Sequence, residues 1–253
     1  MRIIAIANFK GGTGKTATAC NLAALLARDG KRTLLIDADP QHNATSFFLE
    51  PDDDMITLYD VLTGMGEAAW SDNVQETGFE NLSILPGDMN LLRLDLSAIL
   101  SGSAHEGTRM LDFLECVRTD GETDFVLYDC PPSFTAATVS ALMSCDEVIV
   151  PTRADAFSRA GALEQIGQVQ NLHRRSISPR CRGLATRADR ARLSKQAVEQ
   201  LRVDGLDVFE TVIHNSVCVS ESSYARLPLY EYARHSRAAQ DYEALLREVL
   251  ADG

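Results

Sequence analysis

Lysine is scarce in this chain. Lys10, Lys15, Lys31 and Lys195 stand against twenty arginines in 253 residues. Long apolar runs are absent: nothing approaches the roughly 18 residues of a membrane-spanning helix. The first ten residues hold only the stretch Ile3–Ala7 ahead of Lys10, too short for the apolar core of a secretory signal. The chain therefore reads as soluble and cytoplasmic. The six cysteines form no C-x-x-C pair, which argues against zinc, an iron–sulfur cluster or a redox dithiol. They read as free thiols in a reducing compartment. No internal repeat or low-complexity tract is present. A composition of 45% hydrophobic and 24% charged residues excludes disorder, collagen and a disulfide-stapled mini-protein.

Charge is present but lopsided. The net charge is −12. Residues 1–150 carry 9 basic and 23 acidic side chains, whereas residues 151–253 carry 15 and 13. Within 153–202 the count is 11 basic to 4 acidic. Exposed charges are screened beyond roughly 8 Å at physiological salt, so a local basic surface attracts a polyanion even on an acidic molecule.

Short apolar runs alternate with helical patterns along the whole chain. Strands are expected at Arg2–Asn8, Thr33–Asp37, Asn81–Leu85, Phe125–Tyr128, Glu147–Val150, Cys181–Ala185 and Val208–Ile213. Helices are expected at Lys15–Arg28 and near Leu58–Thr63, Met89–Leu100, Thr108–Arg118, Ala136–Met143, Ala160–Leu172, Ser194–Arg202 and Ala238–Leu250. Asp52–Asp54 and Ser101–Gly107 read as surface loops. Nearly continuous apolar strands separated by helices predict an α/β fold: a mainly parallel, twisted sheet of about seven to eight strands covered on both faces. Residues 1–253 are expected to form a single domain.

Three motifs carry chemistry. Lys10-Gly11-Gly12-Thr13-Gly14-Lys15-Thr16 follows a strand and opens a helix. Glycines there let the backbone curl so that its N–H groups point at a phosphate, and the helix N-terminus adds positive partial charge. Lys15 reaches β- and γ-phosphates, and the Thr16 hydroxyl is a ligand for Mg²⁺. A chance match to this pattern is on the order of one in 10⁵. Asp37-Ala38-Asp39-Pro40-Gln41 follows the second strand, at the sheet edge where ligands bind in such folds. Asp129 ends the apolar strand Phe125–Tyr128 and precedes Cys130-Pro131-Pro132-Ser133. A carboxylate in that place holds Mg²⁺ through water.

The loop departs from the general phosphate loop. Phe9 takes the place of its first glycine, and Lys10 precedes the glycine pair. This pattern resembles the deviant Walker A box of the ParA/MinD family of ATPases, in the short, single-domain form typified by Soj. Leu34–Thr45 is similar to that family's switch I and Asp129–Ser133 to its switch II. The segments Val150–Phe157, Val212–Tyr232 and Ser236–Leu250 extend the resemblance over nearly the whole chain, with residues 50–120 the least similar.

The resemblance implies a P-loop NTPase fold and Mg²⁺-dependent hydrolysis of ATP to ADP and phosphate. It implies Lys10, Lys15 and Asp39 as catalytic residues, with Lys10 reaching a partner's nucleotide in an ATP-bound homodimer and Asp39 polarising the attacking water. It implies Lys10 through Ala17 as the nucleotide-binding loop, with Gly11, Gly12, Thr13 and Gly14 at its crest, and Thr16, Asp37 and Asp129 around the metal.

It further implies a ParB-like or adaptor protein that stimulates hydrolysis, segregation of a plasmid, chromosome or other cargo, and nucleoid association through non-specific DNA binding. Arg187, Arg190, Arg192 and Lys195 are the expected DNA contacts, with Arg226, Arg234 and Arg237 as further candidates. Ile213–Glu221 departs from the family pattern: His214, Asn215 and Cys218 stand where a proline and two arginines are usual. A contact at Cys218 is thereby lost, and the adenine contact near His214 is left open. The competing readings are a MinD-like positioning ATPase on a membrane or protein cargo, an iron–sulfur carrier and an inactive scaffold. The cysteine spacing disfavours the carrier, and intact Lys15, Asp39 and Asp129 argue against the scaffold. Glu243–Gly253 has one arginine against three acids, and no membrane contact is expected of it.

The basic segment yields a test. Replacing Arg190 and Arg192 together by Ala should weaken ATP-dependent DNA binding equally on unrelated duplexes and flatten its dependence on salt. Fluorescence anisotropy across a salt series measures both effects. An unchanged salt slope would remove these arginines from the DNA surface.

Overall fold

The computed structural model describes residues 1–50, 52, 54–101, 106–153, 167, 179–188, 198–200, 202–203 and 207–251. Eight strands form one sheet in the order β3-β4-β2-β5-β1-β6-β7-β8. They are β1 (Arg2–Ile6), β2 (Thr33–Asp37), β3 (Gln75–Glu76), β4 (Leu82–Leu85), β5 (Phe125–Asp129), β6 (Glu147–Arg153), β7 (Arg180–Ala188) and β8 (Val208–His214). All neighbours run parallel except β3, which pairs antiparallel with β4. The expected architecture is the one observed. The short edge strand β3 was not foreseen, because two residues carry no periodicity.

Helices cover both faces. Those with described bounds are, in chain order, α1 (Lys15–Arg28), α2 (Asn43–Phe48), α3 (Leu58–Thr63), α4 (Leu91–Ser101), α5 (Glu106–Asp120), α6 (Ala136–Ser144), α7 (Val217–Ala225), α8 (Leu229–Tyr232) and α9 (Arg237–Ala251), with a 3₁₀ turn at Trp70–Asn73. Glu106 and Gly107 belong to α5 and Ser101 to α4, so the loop expected at Ser101–Gly107 is shorter than its sequence suggests. The helices α2, α7 and α8 add to those expected. The helix expected at Ala160–Leu172 lies outside the described residues apart from Gly167.

Strand parity decides what faces what. Ile4 and Ile6 of β1, Leu35 of β2, and Phe125 and Leu127 of β5 join one core with α1 and α9. Ile3 and Ala5 of β1, Leu34 and Ile36 of β2, and Val126 and Tyr128 of β5 join the other core with α3 to α6. Asp37 and Asp129 are in step with Leu35 and Leu127, so both carboxylates come out on the α1 face. Helix α1 supplies Ala19, Ala23, Ala24 and Ala27, all buried, and these small side chains let it lie close to the sheet.

The opposite, amino edge of the sheet is held by charge. The Arg182 side chain is 7% exposed. It lies 3.3 Å from Asp207 and 3.8 Å from both Glu147 and Glu248, with its guanidinium 3.6 Å above the Phe209 ring centroid. Arg2 also pairs with Glu147. Each carboxylate keeps another partner without Arg182: Arg2 for Glu147, Arg180 for Asp207 and the Thr211 amide for Glu248. Arg182→Ala should therefore cost about 2 kcal/mol, from lost packing and charge-assisted contacts, with no carboxylate left alone. A urea midpoint lowered at constant slope would show it.

Candidate functional site

The three motifs meet at the carboxyl edge of the sheet. β1 is the centre of the strand order, with β5 on one side and β6 on the other, and the loop leaving it runs straight into α1. Gly12 (φ 71°) and Gly14 (φ 90°) adopt the left-handed conformation that curls this loop, a region costly to other residues.

Two anchors hold the loop in place. Asn8 is buried; its Nδ2 donates to the Pro151 carbonyl oxygen at 2.6 Å, and its Oδ1 accepts from the Lys10 amide at 2.8 Å. Pro151 faces β1 two residues past their last pair, Ile6 with Ile149. Its missing N–H therefore leaves no gap in a ladder, and Asn8 takes its carbonyl. At the crest, the Thr186 hydroxyl of β7 donates to the Thr13 carbonyl oxygen at 2.7 Å. Neither anchor was anticipated from the sequence. Asn8 signals itself only as a polar residue closing an apolar strand.

Asp37 and Asp129 are register partners across β2 and β5, and both are fully buried. Asp37 is well supplied with donors. Its Oδ2 accepts from the Thr45 amide at 2.7 Å and the Thr45 hydroxyl at 2.8 Å, and its Oδ1 accepts from the Asp39 amide at 3.1 Å. Burial nevertheless pushes its carboxyl up to about 6, with the neighbouring Asp39 charge adding to the shift. Thr45 Oγ1 accepts in turn from the Gly87 amide at 2.9 Å. A side chain at Gly87 would bring its Cβ within 2.5 Å of the Asp37 carbonyl oxygen, so only glycine fits against this strand end.

Asp129 is different. Neither of its carboxylate oxygens has a partner in good hydrogen-bond geometry, although the Thr16 hydroxyl comes near enough to act on it. Burial, then the Asp37 charge, drive its carboxyl well above the usual range, against weaker opposing pulls from the Thr16 hydroxyl and the Lys15 ammonium. Lys15 is itself buried, its Nζ donating to the Lys10 carbonyl oxygen at 3.3 Å, and desolvation lowers its pKa despite Asp129 and Asp39. The Thr13 hydroxyl is also buried without a partner. Orphaned oxygens of this kind, beside a hydroxyl and a lysine, fit a hydrated divalent cation carrying a polyphosphate. Asp39 closes the far side: it is 8% exposed, and its Oδ1 accepts from the Gln41 amide at 2.9 Å. Lys10 is exposed at the mouth of the loop. Phe9 stacks on Phe134, with centroids 3.7 Å apart, linking the loop to the segment after Asp129.

A cavity of about 620 Å³ opens from Thr16 and Ala17 and is lined by Asn43, Phe47, Arg187 and Tyr224 among others. That volume lies in the range of sites for nucleotide-sized ligands. Arg187, expected as a DNA contact, is exposed at the end of β7 in the left-handed conformation (φ 52°), with Nη1 4.0 Å from where a Cβ on Gly12 would stand. Arg190, Arg192 and Lys195 lie outside the described residues. Arg226 pairs with Glu50, Arg237 with Asp241 at 3.2 Å, and Arg234 meets His235. His214 is turned to Asp241, its Nδ1 2.8 Å from Oδ2.

Comparison with known proteins shows the family. A family model described as an AAA domain matches residues 1–179. The chromosome partitioning protein ParA of Caulobacter vibrioides is 38% identical, over 99% of this chain and 94% of its own. The sporulation initiation inhibitor protein Soj of Bacillus subtilis is 35% identical, over 100% and 99%. The chain belongs to the ParA/MinD family of ATPases. Among solved structures, the septum site-determining protein MinD of Pyrococcus horikoshii, in complex with Mg-ADP, superposes with a TM-score of 0.74 at 26% identity, covering 98% of this chain and 95% of that one.

A family member that buries Asp129 with no partner holds its ligand-free state under electrostatic strain. Asp129→Asn removes a buried charge and should stabilise the ligand-free protein by about 1–3 kcal/mol while abolishing any rise in melting temperature on adding Mg²⁺ and ATP. Differential scanning fluorimetry with and without Mg·ATP checks both. A destabilised variant that still responds to Mg·ATP would contradict this view of Asp129.

Proposed function

We propose that this chain is a single-domain, ATP-dependent partitioning ATPase that dimerises around ATP, binds DNA without sequence preference, and is stimulated by a ParB-like or adaptor protein to segregate a plasmid, chromosome or other cargo. The observation that carries the reading is the unpartnered Asp129 carboxylate beside the desolvated Lys15, at the mouth of a loop fixed from β6 and β7.

In this reading the backbone N–H groups from Gly11 to Ala17 cradle the phosphates, and Lys15 neutralises β- and γ-oxygens. Thr16 and Asp129 hold Mg²⁺, and Asp37 fixes the loop carrying Asp39 while supporting the metal's water shell. Mg²⁺, when bound, neutralises charge that develops on the transferring phosphoryl group. Asp39 accepts a hydrogen bond from the attacking water and orients it in line with the γ-phosphorus. The cavity beside Thr16 and Arg187 receives the nucleoside. Lys10, exposed and free to point outward, stabilises phosphoryl charge on the nucleotide of a second subunit, as an arginine finger does.

DNA binding and nucleoid association rest on the basic segment 153–202. The MinD-like alternative calls for a membrane-facing helix. Helix α9 instead spends its apolar face on the core, with Tyr242, Leu245, Leu246 and Val249 all buried.

Dimerisation tests the reading. Asp39→Ala retains nucleotide and loses turnover, so light scattering of this variant at about 10 µM should show a dimer with ATP and a monomer with ADP. Adding Lys10→Ala should return it to monomer, and Lys15→Ala alone should abolish nucleotide binding. An ATP-bound monomer of Asp39→Ala would sink the sandwich, and wild-type turnover in that variant would sink the role of Asp39.

A further inference from the structure

A second cavity, of about 210 Å³, lies among α3, the 3₁₀ turn and α5. It belongs to the helical layer opposite α1, and none of its lining residues is part of the phosphate site. Its volume is below the roughly 300–1,000 Å³ of drug-sized ligand sites, which limits an occupant to a small molecule.

The walls are built and rigid. Thr57 and Asp60 form a reciprocal capping box at the start of α3, and Gly64 ends that helix in the left-handed conformation (φ 77°). Asn73 is buried and uses its whole amide to shape the facing loop. Its Oδ1 accepts from the Glu67 amide at 2.7 Å, and its Nδ2 donates to the carbonyl oxygens of Glu67 at 3.0 Å and Ala69 at 2.8 Å. An asparagine spent in this way keeps the loop in one conformation.

The lining is chemically divided. Val61, Trp70 and Phe113 give an apolar surface. Arg109 lies against Gly64, where a Cβ would stand 1.9 Å from Nη1. That nitrogen is buried without an acceptor, and Arg109 has no ion pair among the described residues. Arg109 lines the cavity with no carboxylate partner among the described residues, and the natural complement of an unpaired guanidinium fork is a carboxylate. Asp112, one helical turn along α5, and Glu67 opposite place negative charge at the same cavity. A simple anion would meet these two carboxylates and be repelled. A zwitterion is matched at both ends.

We propose that this cavity binds a free α-amino acid with a large apolar side chain. Arg109 takes its carboxylate, Asp112 and Glu67 its ammonium, and Val61, Trp70 and Phe113 its side chain. The site is separate from nucleotide chemistry and does not depend on the function proposed above.

The chain reports on the site by itself, because Trp70 is its single tryptophan. L-Leucine and L-phenylalanine titrated into the full-length protein should change the fluorescence of Trp70, with a dissociation constant on the order of 100 µM, and calorimetry should give the same value. L-Leucinamide, lacking the carboxylate, and N-acetyl-L-leucine, lacking the ammonium, should each bind at least tenfold more weakly. Arg109→Gln should weaken L-leucine about tenfold or more, and Asp112→Asn should do so to a smaller extent. Both variants should keep wild-type binding of ATP. No binding of either amino acid up to about 10 mM overturns the proposal, as does equal binding of the amide. N-Acetyl-L-leucine binding as tightly as leucine also overturns it and points instead to the C-terminal carboxylate of a peptide. The ligand-side comparisons use the wild-type protein, so the test stands even if a variant fails to fold.

Discussion

Two carboxylates on adjacent parallel strands, both fully buried and both turned to the same face, are the arrangement around which the carboxyl edge is organised. Like charges this close are tolerated only with donors, counter-charge or protons. The chain treats its two differently. Asp37 receives three protein donors and becomes the support of a loop. Asp129 receives none in full and stays available. The loop carrying Asp39, the buried Thr45, the glycine at position 87 and the desolvated Lys15 are all explained by this division. The fold satisfies one carboxylate and reserves the other.

That division makes stability and activity pull in opposite directions. Burial raises the folded pKa of Asp37 above that of an exposed aspartate, to about 6, so the folded state holds its proton more tightly than the unfolded chain. The stability associated with this group is present at low pH and is lost as the pH rises through the interval from about 4 to about 6. Near neutrality, ligand-free protein carries the full cost of the buried charge. In the function proposed above, a cation with its polyphosphate would offset that cost and so couple ligand occupancy to folding.

Much of the fold was legible because the strands are short, fully buried and separated by helices with ordinary periodicity. The parity that brings Asp37 and Asp129 to one face follows from Leu35 and Leu127 in the same strands. The elements that escaped are those whose order comes from tertiary contact: the two residues of β3, the six-residue α2, the four-residue α8, and α7, in which serines interrupt any apolar stripe. The phosphate loop and its carboxylates could be picked out from residue types and spacing. The clamps could not, since Asn8 meets Pro151 across 143 positions and Thr186 meets Thr13 across 173. Arg187 illustrates the same limit. Its charge suggests a surface for polyanions, and the position of its exposed side chain beside the glycine loop follows only from where β7 ends.

The clamps on the glycine loop also bear on the heat of binding. A loop tied at its entry by Asn8 and at its crest by Thr186 loses its conformational freedom when the protein folds. Little ordering of that segment remains for the moment a phosphate arrives. A change in heat capacity on ligand binding then reports apolar surface buried outside this loop. Calorimetry over a range of temperatures thus becomes a gauge of what the rest of the molecule buries, with the phosphate loop as its fixed reference.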